Sequence, residues 1–220
     1  MKTRHDAGAV PALSDADIPV IILAAGRSVR FGETNKLLTQ INGAPLITHT
    51  LSAAADAGIS RMIIVTGHEA EAVEAAVGSW QEGRGGIASH HIRFIYNEVY
   101  HDGMGSSVAT GVRQIPPGTS SAFLTVGDLR HPKAETYQKL WQAHCGRADR
   151  IAVAKNGDQP GHPVLIGQDH FAAFANLNGD TGGREILRSQ PDRIIHVTCD
   201  ESIADDIDTK ADIRGAPARS

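Results

Sequence analysis

Gly26, Arg27, Ser28, Arg30, Gly32 and Lys36 fall in one short stretch, GRSVRFGETNK, beginning just after the apolar run Val20-Ile21-Ile22-Leu23. Ala24 and Ala25 precede it and carry almost no side-chain volume. Small residues let backbone N–H groups come close to anionic oxygens, while arginine and lysine neutralise the charge, so the stretch suits a polyphosphate. The plainer alternative is a tight strand-to-helix turn with solvated basic side chains, since short glycine patterns recur by chance. Asp128 follows Gly127 at the end of a second apolar run, Ala122 to Val126, and puts a carboxylate at the mouth of a sheet. Beside a triphosphate such a group holds Mg2+, a hard ion that shares its oxygen ligands with phosphates. A helix N-cap or turn aspartate is the competing use. Lys36 likewise reads as a phosphate contact or as a solvated side chain.

The elements that would position these residues alternate. Val20 to Leu23 reads as a strand buried on both faces. Asn42-Gly43 marks a turn, and Pro45 opens a helix through Ala57 that Gly58 stops. Met62 to Val65 is a second buried strand ending at Thr66-Gly67-His68. The next helix takes its stripe from Ala70, Val73 and Val77 and closes at Gly78. Gly83 to Gly86 is a loop, Ile92 to Tyr96 a third strand, and Gly105 to Arg113 a helix. Pro116-Pro117-Gly118 breaks the chain before the fourth strand, Ala122 to Val126. Then come a helix from Lys133 to His144, a strand from Ile151 to Ala154 and a turn-rich loop from Gly157 to Pro163. A short strand from Val164 to Ile166, a helix from Thr181 to Arg188 and a strand from Arg193 to Val197 complete the order. Repeated β-then-α units predict an α/β chain with a mostly parallel sheet and helices on both faces, its ligand at the carboxyl ends of the strands.

Composition narrows the function. The chain has 220 residues, 41% hydrophobic, with a formal charge of −4. This length supports one α/β domain, placed at 18–213 with flexible tails at 1–17 and 214–220. The acidic balance argues against broad binding to nucleic-acid backbones, and no apolar run approaches the length that spans a bilayer. Two cysteines make no disulfide framework or zinc site, and the eleven histidines show no metal-ligand spacing. Without a signal-peptide core at the N-terminus, cytoplasm is the default. Neither G-x-G-x-x-G nor G-x-x-x-x-G-K-[ST] is present, because Lys36 does not directly follow Gly32.

What the first stretch does resemble is L-A-A-G-x-S-x-R-x-G followed by a lysine, standing here as Leu23-Ala24-Ala25-Gly26-Arg27-Ser28-Val29-Arg30-Phe31-Gly32 and then Lys36. This is the signature of nucleotidyltransferases with a glycosyltransferase-A-like fold, and the chain looks most like the MobA-like, molybdenum cofactor cytidylyltransferase branch. Three further segments carry the likeness. Asn97 to Ser107 resembles N-x-x-[YW]-x-x-G-M-x-S-S, Gly161-His162-Pro163-Val164 a segment near the acceptor, and Asp206-Ile207-Asp208-Thr209 the D-I-D-T element beside the metal. Gly179 to Arg184 matches as well.

The resemblance implies a three-layer αβα fold with a twisted sheet and a Rossmann-like nucleotide-binding half. It implies Mg2+-dependent transfer of CMP from CTP onto a molybdopterin-type phosphate, with release of pyrophosphate. In-line attack by a phosphate oxygen demands positioning and charge neutralisation rather than proton transfer. Leu23 to Ser28 and Gly32 would then hold the β- and γ-phosphates, Arg30 clamp them, and Lys36 reach the α-phosphate or the attacking group. Asp128 and, by resemblance, Asp208 form the metal pair, the N-cap of a last short helix TKADI being the competing use of Asp208. Thr66, Gly67, Asn97, Gly103, Ser106 and Ser107 are candidates for base recognition, the serines being equally good helix caps. His162 and Arg184 face an anionic acceptor, with His162 as a plain loop residue otherwise. A molybdoenzyme or its chaperone is the protein partner implied; nucleic acid and membrane are not.

One departure stands out. The family pattern G-D-x-P becomes Gly127-Asp128-Leu129-Arg130-His131-Pro132, so a cation occupies the proline position. This leaves open GTP as donor, a sugar or alditol phosphate as acceptor, or a catalytically silent nucleotide- or cofactor-binding protein. A nicotinamide-dependent reductase is disfavoured by the first strand-to-helix turn, which lacks the dinucleotide glycine pattern.

Overall fold

The computed structural model describes residues 12–13, 17–29, 31–32, 34–84, 90–180 and 183–214. Strand β1 (Val20–Ala24) lies at the centre of a seven-stranded sheet with β4 (Arg61–Thr66), β5 (His91–Tyr96), β6 (Ser121–Val126), β7 (Ile151–Asn156), β8 (Gln159–Gly167) and β9 (Ile194–Thr198). The order is β5-β4-β1-β6-β8-β7-β9, and β8 alone opposes the other six strands. A small hairpin, β2 (Gln40–Ile41) with β3 (Ala44–Pro45), turns at Asn42-Gly43.

Both faces of the sheet are covered. Val20, Ile22 and Ala24 face the layer formed by α1 (Leu46–Asp56), α2 (Ala70–Gly83) and α4 (Ala134–His144), where Leu51, Val77 and Leu140 are buried. Ile21 and Leu23 face α3 (Met104–Val112), α5 (Phe171–Ala175) and α6 (Arg184–Ser189), through Val108, Val112 and Phe174. That alternation, apolar on both sides, explains why β1 reads as an unbroken apolar run. The fold is the expected three-layer αβα arrangement with a mostly parallel sheet. Among the described residues no helix is long and apolar enough to cross a membrane.

Three local expectations are corrected. The second helix does not close at Gly78; α2 runs on to Gly83. Trp80 packs against the core and donates from Nε1 to Ser52 Oγ at 2.9 Å, and this anchoring outweighs the roughly 1 kcal/mol that a mid-helix glycine costs. Residues 157–163 are not a turn-rich loop. Only Gly157-Asp158 turns, and β8 starts at Gln159, paired with Asn156. The helix placed from Thr181 spans Arg184–Ser189, and residues 181–182 lie outside the described residues. Of the segment 1–17, Leu13 is buried in the core and Asp17 pairs with Arg61 at 2.9 Å. The rest of that segment, apart from Ala12, and residues 215–220 are outside the described residues.

Candidate functional site

The carboxyl ends of β1, β4 and β6 lie along one edge of the sheet, because the three strands are parallel neighbours. A cavity of about 350 Å³ opens there, lined by the loop Leu23 to Val29, Lys36, Leu37, Tyr100, Gly103, Met104, Ser107, Val126, Asp128 and Asp208. Gly26 and Arg27 are exposed at its rim. The loop is folded back on itself. Ser28 adopts a left-handed conformation at φ 53°, its carbonyl accepts from Phe31 N–H at 2.8 Å, and its Oγ accepts from Lys36 N–H at 3.1 Å. Asn35 is buried beneath, donating to the His68 carbonyl at 3.3 Å and accepting from Leu37 N–H at 3.1 Å. These bonds tie the loop to the turn after β4 and aim Lys36 back into the cavity.

Lys36 Nζ forms an ion pair with Asp128 Oδ2 and stands 3.5 Å from Asp208 Oδ1. The Lys36 and Asp128 side chains are 15% and 16% exposed and that of Asp208 50%. Burial pulls the Lys36 pKa down, but the two carboxylates more than reverse this and hold it above the ordinary lysine value. Asp208 arrives from the C-terminal region on a short antiparallel ladder. Ile207 N–H donates to the Asp128 carbonyl at 3.2 Å, Leu129 bridges Asp206, and Arg130 N–H donates to the Asp205 carbonyl at 2.9 Å. Ile207 is fully buried with Phe31, Ile41 and Leu46, which fixes the register.

The donor set fits one hard divalent cation. Two carboxylates converge on a single position filled by an ammonium, and Asp128 Oδ1 is buried without a partner. No group of three or more His, Cys, Asp or Glu among the described residues could hold a metal, so a cation here would take further ligands from substrate or water.

The remaining expected residues divide into groups. Gly103 and Ser107 line the cavity; Thr66, Gly67, Asn97 and Ser106 are not among the lining residues. Thr66 donates to Glu74 at 3.3 Å, and Gly67 packs under Tyr100 and Ala25. Asn97 is buried and donates to Ser106 Oγ at 2.9 Å and Ser107 Oγ at 3.0 Å, while Ser106 donates to the Gly103 carbonyl at 2.8 Å. This network shapes the N-terminus of α3, and Ser107 is its member at the cavity wall. Gly103, at φ 111°, and Gly105 lie against Asn178-Gly179-Asp180, with Gly105 N–H donating to the Gly179 carbonyl at 2.8 Å.

His162 reaches this end of the sheet because β8 is antiparallel. Val164 pairs with Leu124, so the register carries His162 toward Val126 and the Asp128 charge. Burial holds the His162 pKa below the ordinary value, Asp128 opposes the shift, and the exposed Arg184 adds to it. Gly32 is exposed and outside the lining, and Arg30 lies outside the described residues. Sequence reasoning missed Val29, Leu37, Tyr100, Met104 and Val126 as lining residues. Tyr100 could have been found, since it holds the aromatic position of the Asn97 to Ser107 pattern.

A small-residue loop facing paired carboxylates across the carboxyl edge of a parallel sheet makes this chain a nucleotidyltransferase by fold, and comparison with known proteins agrees. Residues 20–194 match the MobA-like NTP transferase domain, and the chain belongs to that family. It is 30% identical over 210 residues to the nicotine blue oxidoreductase of Paenarthrobacter nicotinovorans, covering 90% of this chain and 96% of that protein. It is 31% identical over 134 residues to the bifunctional protein GlmU of Corynebacterium aurimucosum, a match over 60% of this chain that spans only 26% of the relative's length. The crystal structure of Rv0371c from Mycobacterium tuberculosis H37Rv superposes with a TM-score of 0.73 at 25% identity, covering 90% of this chain and 96% of that one.

Proposed function

We propose that the chain transfers a nucleoside monophosphate, CMP from CTP, onto a phosphorylated acceptor of molybdopterin type and releases pyrophosphate. The observation that carries this reading is the convergence of Asp128 and Asp208 on one cation position beside the Gly26 loop. The choice of CTP and of the acceptor rests on the resemblance of segments 23–38, 97–107 and 161–164.

In this reading the backbone from Ala24 to Ser28 and the Arg27 and Arg30 side chains bind the β- and γ-phosphates. Asp128 and Asp208 would hold Mg2+, which when bound would supply charge neutralisation for the phosphates. Lys36, released from the carboxylates, neutralises the α-phosphate or the attacking oxygen. Ser107 and Gly103 meet the base, while His162 and Arg184 orient the anionic acceptor. A second reading is favoured by the match along nearly the whole length of nicotine blue oxidoreductase: a MobA-like domain that binds a reducing cofactor.

A thermal-shift panel separates them, using CTP, GTP, UTP, dTTP, ATP, NADH and NADPH, each with and without Mg2+. At 100 times the dissociation constant a ligand stabilises the fold by roughly 2.7 kcal/mol. A Mg2+-dependent shift selective for CTP, weakened in Asp128→Ala, is the expected result. A shift with NADH or NADPH alone would establish the second reading, and silence toward all the nucleotides would overturn the first.

A further inference from the structure

We propose that Arg130 is the positioning residue of the cation site, fastening the segment that carries Asp208 against the segment that carries Asp128. The proposal rests on reading those two aspartates as the metal pair. The segment Asp205-Asp206-Ile207-Asp208 carries three carboxylates on one short stretch laddered to residues 128–130, and Asp212 follows four residues later. Like charges at such spacing repel.

Arg130 answers this repulsion at both ends. Its Nη2 pairs with Asp205 Oδ1 at 3.2 Å, the two side chains being 14% and 26% exposed. Its N–H donates to the Asp205 carbonyl at 2.9 Å. His131 Nδ1 lies 2.7 Å from the other oxygen of Asp205, so that carboxylate is gripped from two sides. On the far side, the Asp212 carboxylate accepts from Asp208 N–H at 3.1 Å and Thr209 N–H at 2.7 Å, and it also feels the Arg130 charge. A residue without a side-chain cation loses the pair, and proline would also lose the backbone donor. Asp208 would keep its pair with Lys36 and the anchor of the buried Ile207 but lose the tie through Asp205.

Two measurements on the full chain test this: titration with Mn2+ alone, followed by its paramagnetic signal, and hydrogen exchange of the Ile207 amide. Arg130→Ala should weaken Mn2+ binding and speed Ile207 exchange, each by about tenfold, between the cost of losing an exposed and a buried ion pair. Arg130→Lys should recover most of both, Arg130→Pro should exceed Ala, and Arg113→Ala should change neither. Asp205→Asn, nearly isosteric, repeats the test if Arg130→Ala does not fold. Unchanged Ile207 exchange in folded Arg130→Ala or Asp205→Asn overturns the proposal, as does faster exchange with unaltered Mn2+ affinity. A wild-type chain that binds no Mn2+ sinks the metal-pair reading instead, and Ile207 exchange then judges the fastening by itself.

Discussion

The ammonium of Lys36 is paired with the carboxylate of Asp128, a residue 92 positions further along the chain, at the point where Asp208 also converges. An internal cation thus stands where the proposed divalent ion would bind, and it keeps two mutually repelling carboxylates together.

Lys36→Met tests this relationship. Removing the ammonium leaves Asp128 largely buried and uncompensated, and stability should fall by about 2–3 kcal/mol. Mn2+ should raise the melting temperature of Lys36→Met more than that of the wild type, because the ion replaces the lost charge. Equal stabilisation of both proteins would show that the ammonium and the metal do not compete. Since the Lys36 pKa is raised, the pair stabilises fully below the unfolded value of 10.5 and is lost only as pH climbs through the higher folded value. Melts near neutrality therefore see all of it.

Transfer activity should fall about 10²- to 10³-fold in the same Lys36→Met variant at saturating Mg2+, as for other fixed charges aimed at a transition state. A steady-state assay of pyrophosphate release reads this directly. A kcat within a few-fold of wild type would reduce Lys36 to a structural counter-ion.

Acid sensitivity should come from the fully buried His144 on α4. Burial first, and then Arg147, hold its pKa below 6.5, although its hydrogen bond to the Arg150 carbonyl opposes the shift. In the unfolded chain the ring takes a proton as pH falls below 6.5, while the folded protein resists. Stability is therefore full above that value and declines below it until the folded pKa is passed, by at most about 1.4 kcal/mol per pH unit. Urea melts from pH 7.5 to 5 should show this decline, and His144→Gln should flatten it. A slope unchanged in that variant assigns the effect to other groups.

Gly103→Ala and Gly111→Ala should both destabilise the fold, for different steric reasons.

 Alanine in mid-helix ordinarily stabilises by roughly 1 kcal/mol over glycine. At Gly111, however, a Cβ would stand against Ile21 Cγ2, on the strand that leads into the Gly26 loop. Overpacking of that kind costs about 1–3 kcal/mol, so the net change should be destabilising. At Gly103 the backbone is left-handed at φ 111°, and a Cβ would meet Asp180 Oδ1 at 2.3 Å and the Gly179 backbone at 2.5 Å. Strain and clash together should cost about 2–4 kcal/mol. Chemical denaturation measures both, and a stabilised Gly111→Ala would mean that α3 can shift off the sheet freely.

Much of this architecture is legible in the sequence, for identifiable reasons. Strands β1, β4 and β6 are apolar runs closed by Gly or Ala, because they are buried on both faces and end at the edge where the cavity opens. The first part of β8 is not legible: Gln159-Pro160-Gly161-His162 has turn composition, and becomes a strand only through pairing with β7. The end of α2 is misread at Gly78 because the anchor that prolongs the helix, Trp80 on Ser52, lies in another element. The loop and the aspartates stand out by type and spacing. That Lys36 bridges two carboxylates, and that Arg130 meets Asp205, depends on distances across the fold that no local pattern encodes.

The ladder between residues 128–130 and 205–207 also sets an order of assembly during synthesis. Asp128 and Lys36 emerge from the ribosome with the first strands of the sheet, whereas Asp208 is made some 80 residues after Asp128. At roughly 5–20 residues per second, the nascent chain holds the Gly26 loop and Asp128 for several seconds before Asp208 exists. The proposed cation site is thus among the last features to be completed, and a chain cut short before Asp206 would keep the central strands and lack one of its two carboxylates.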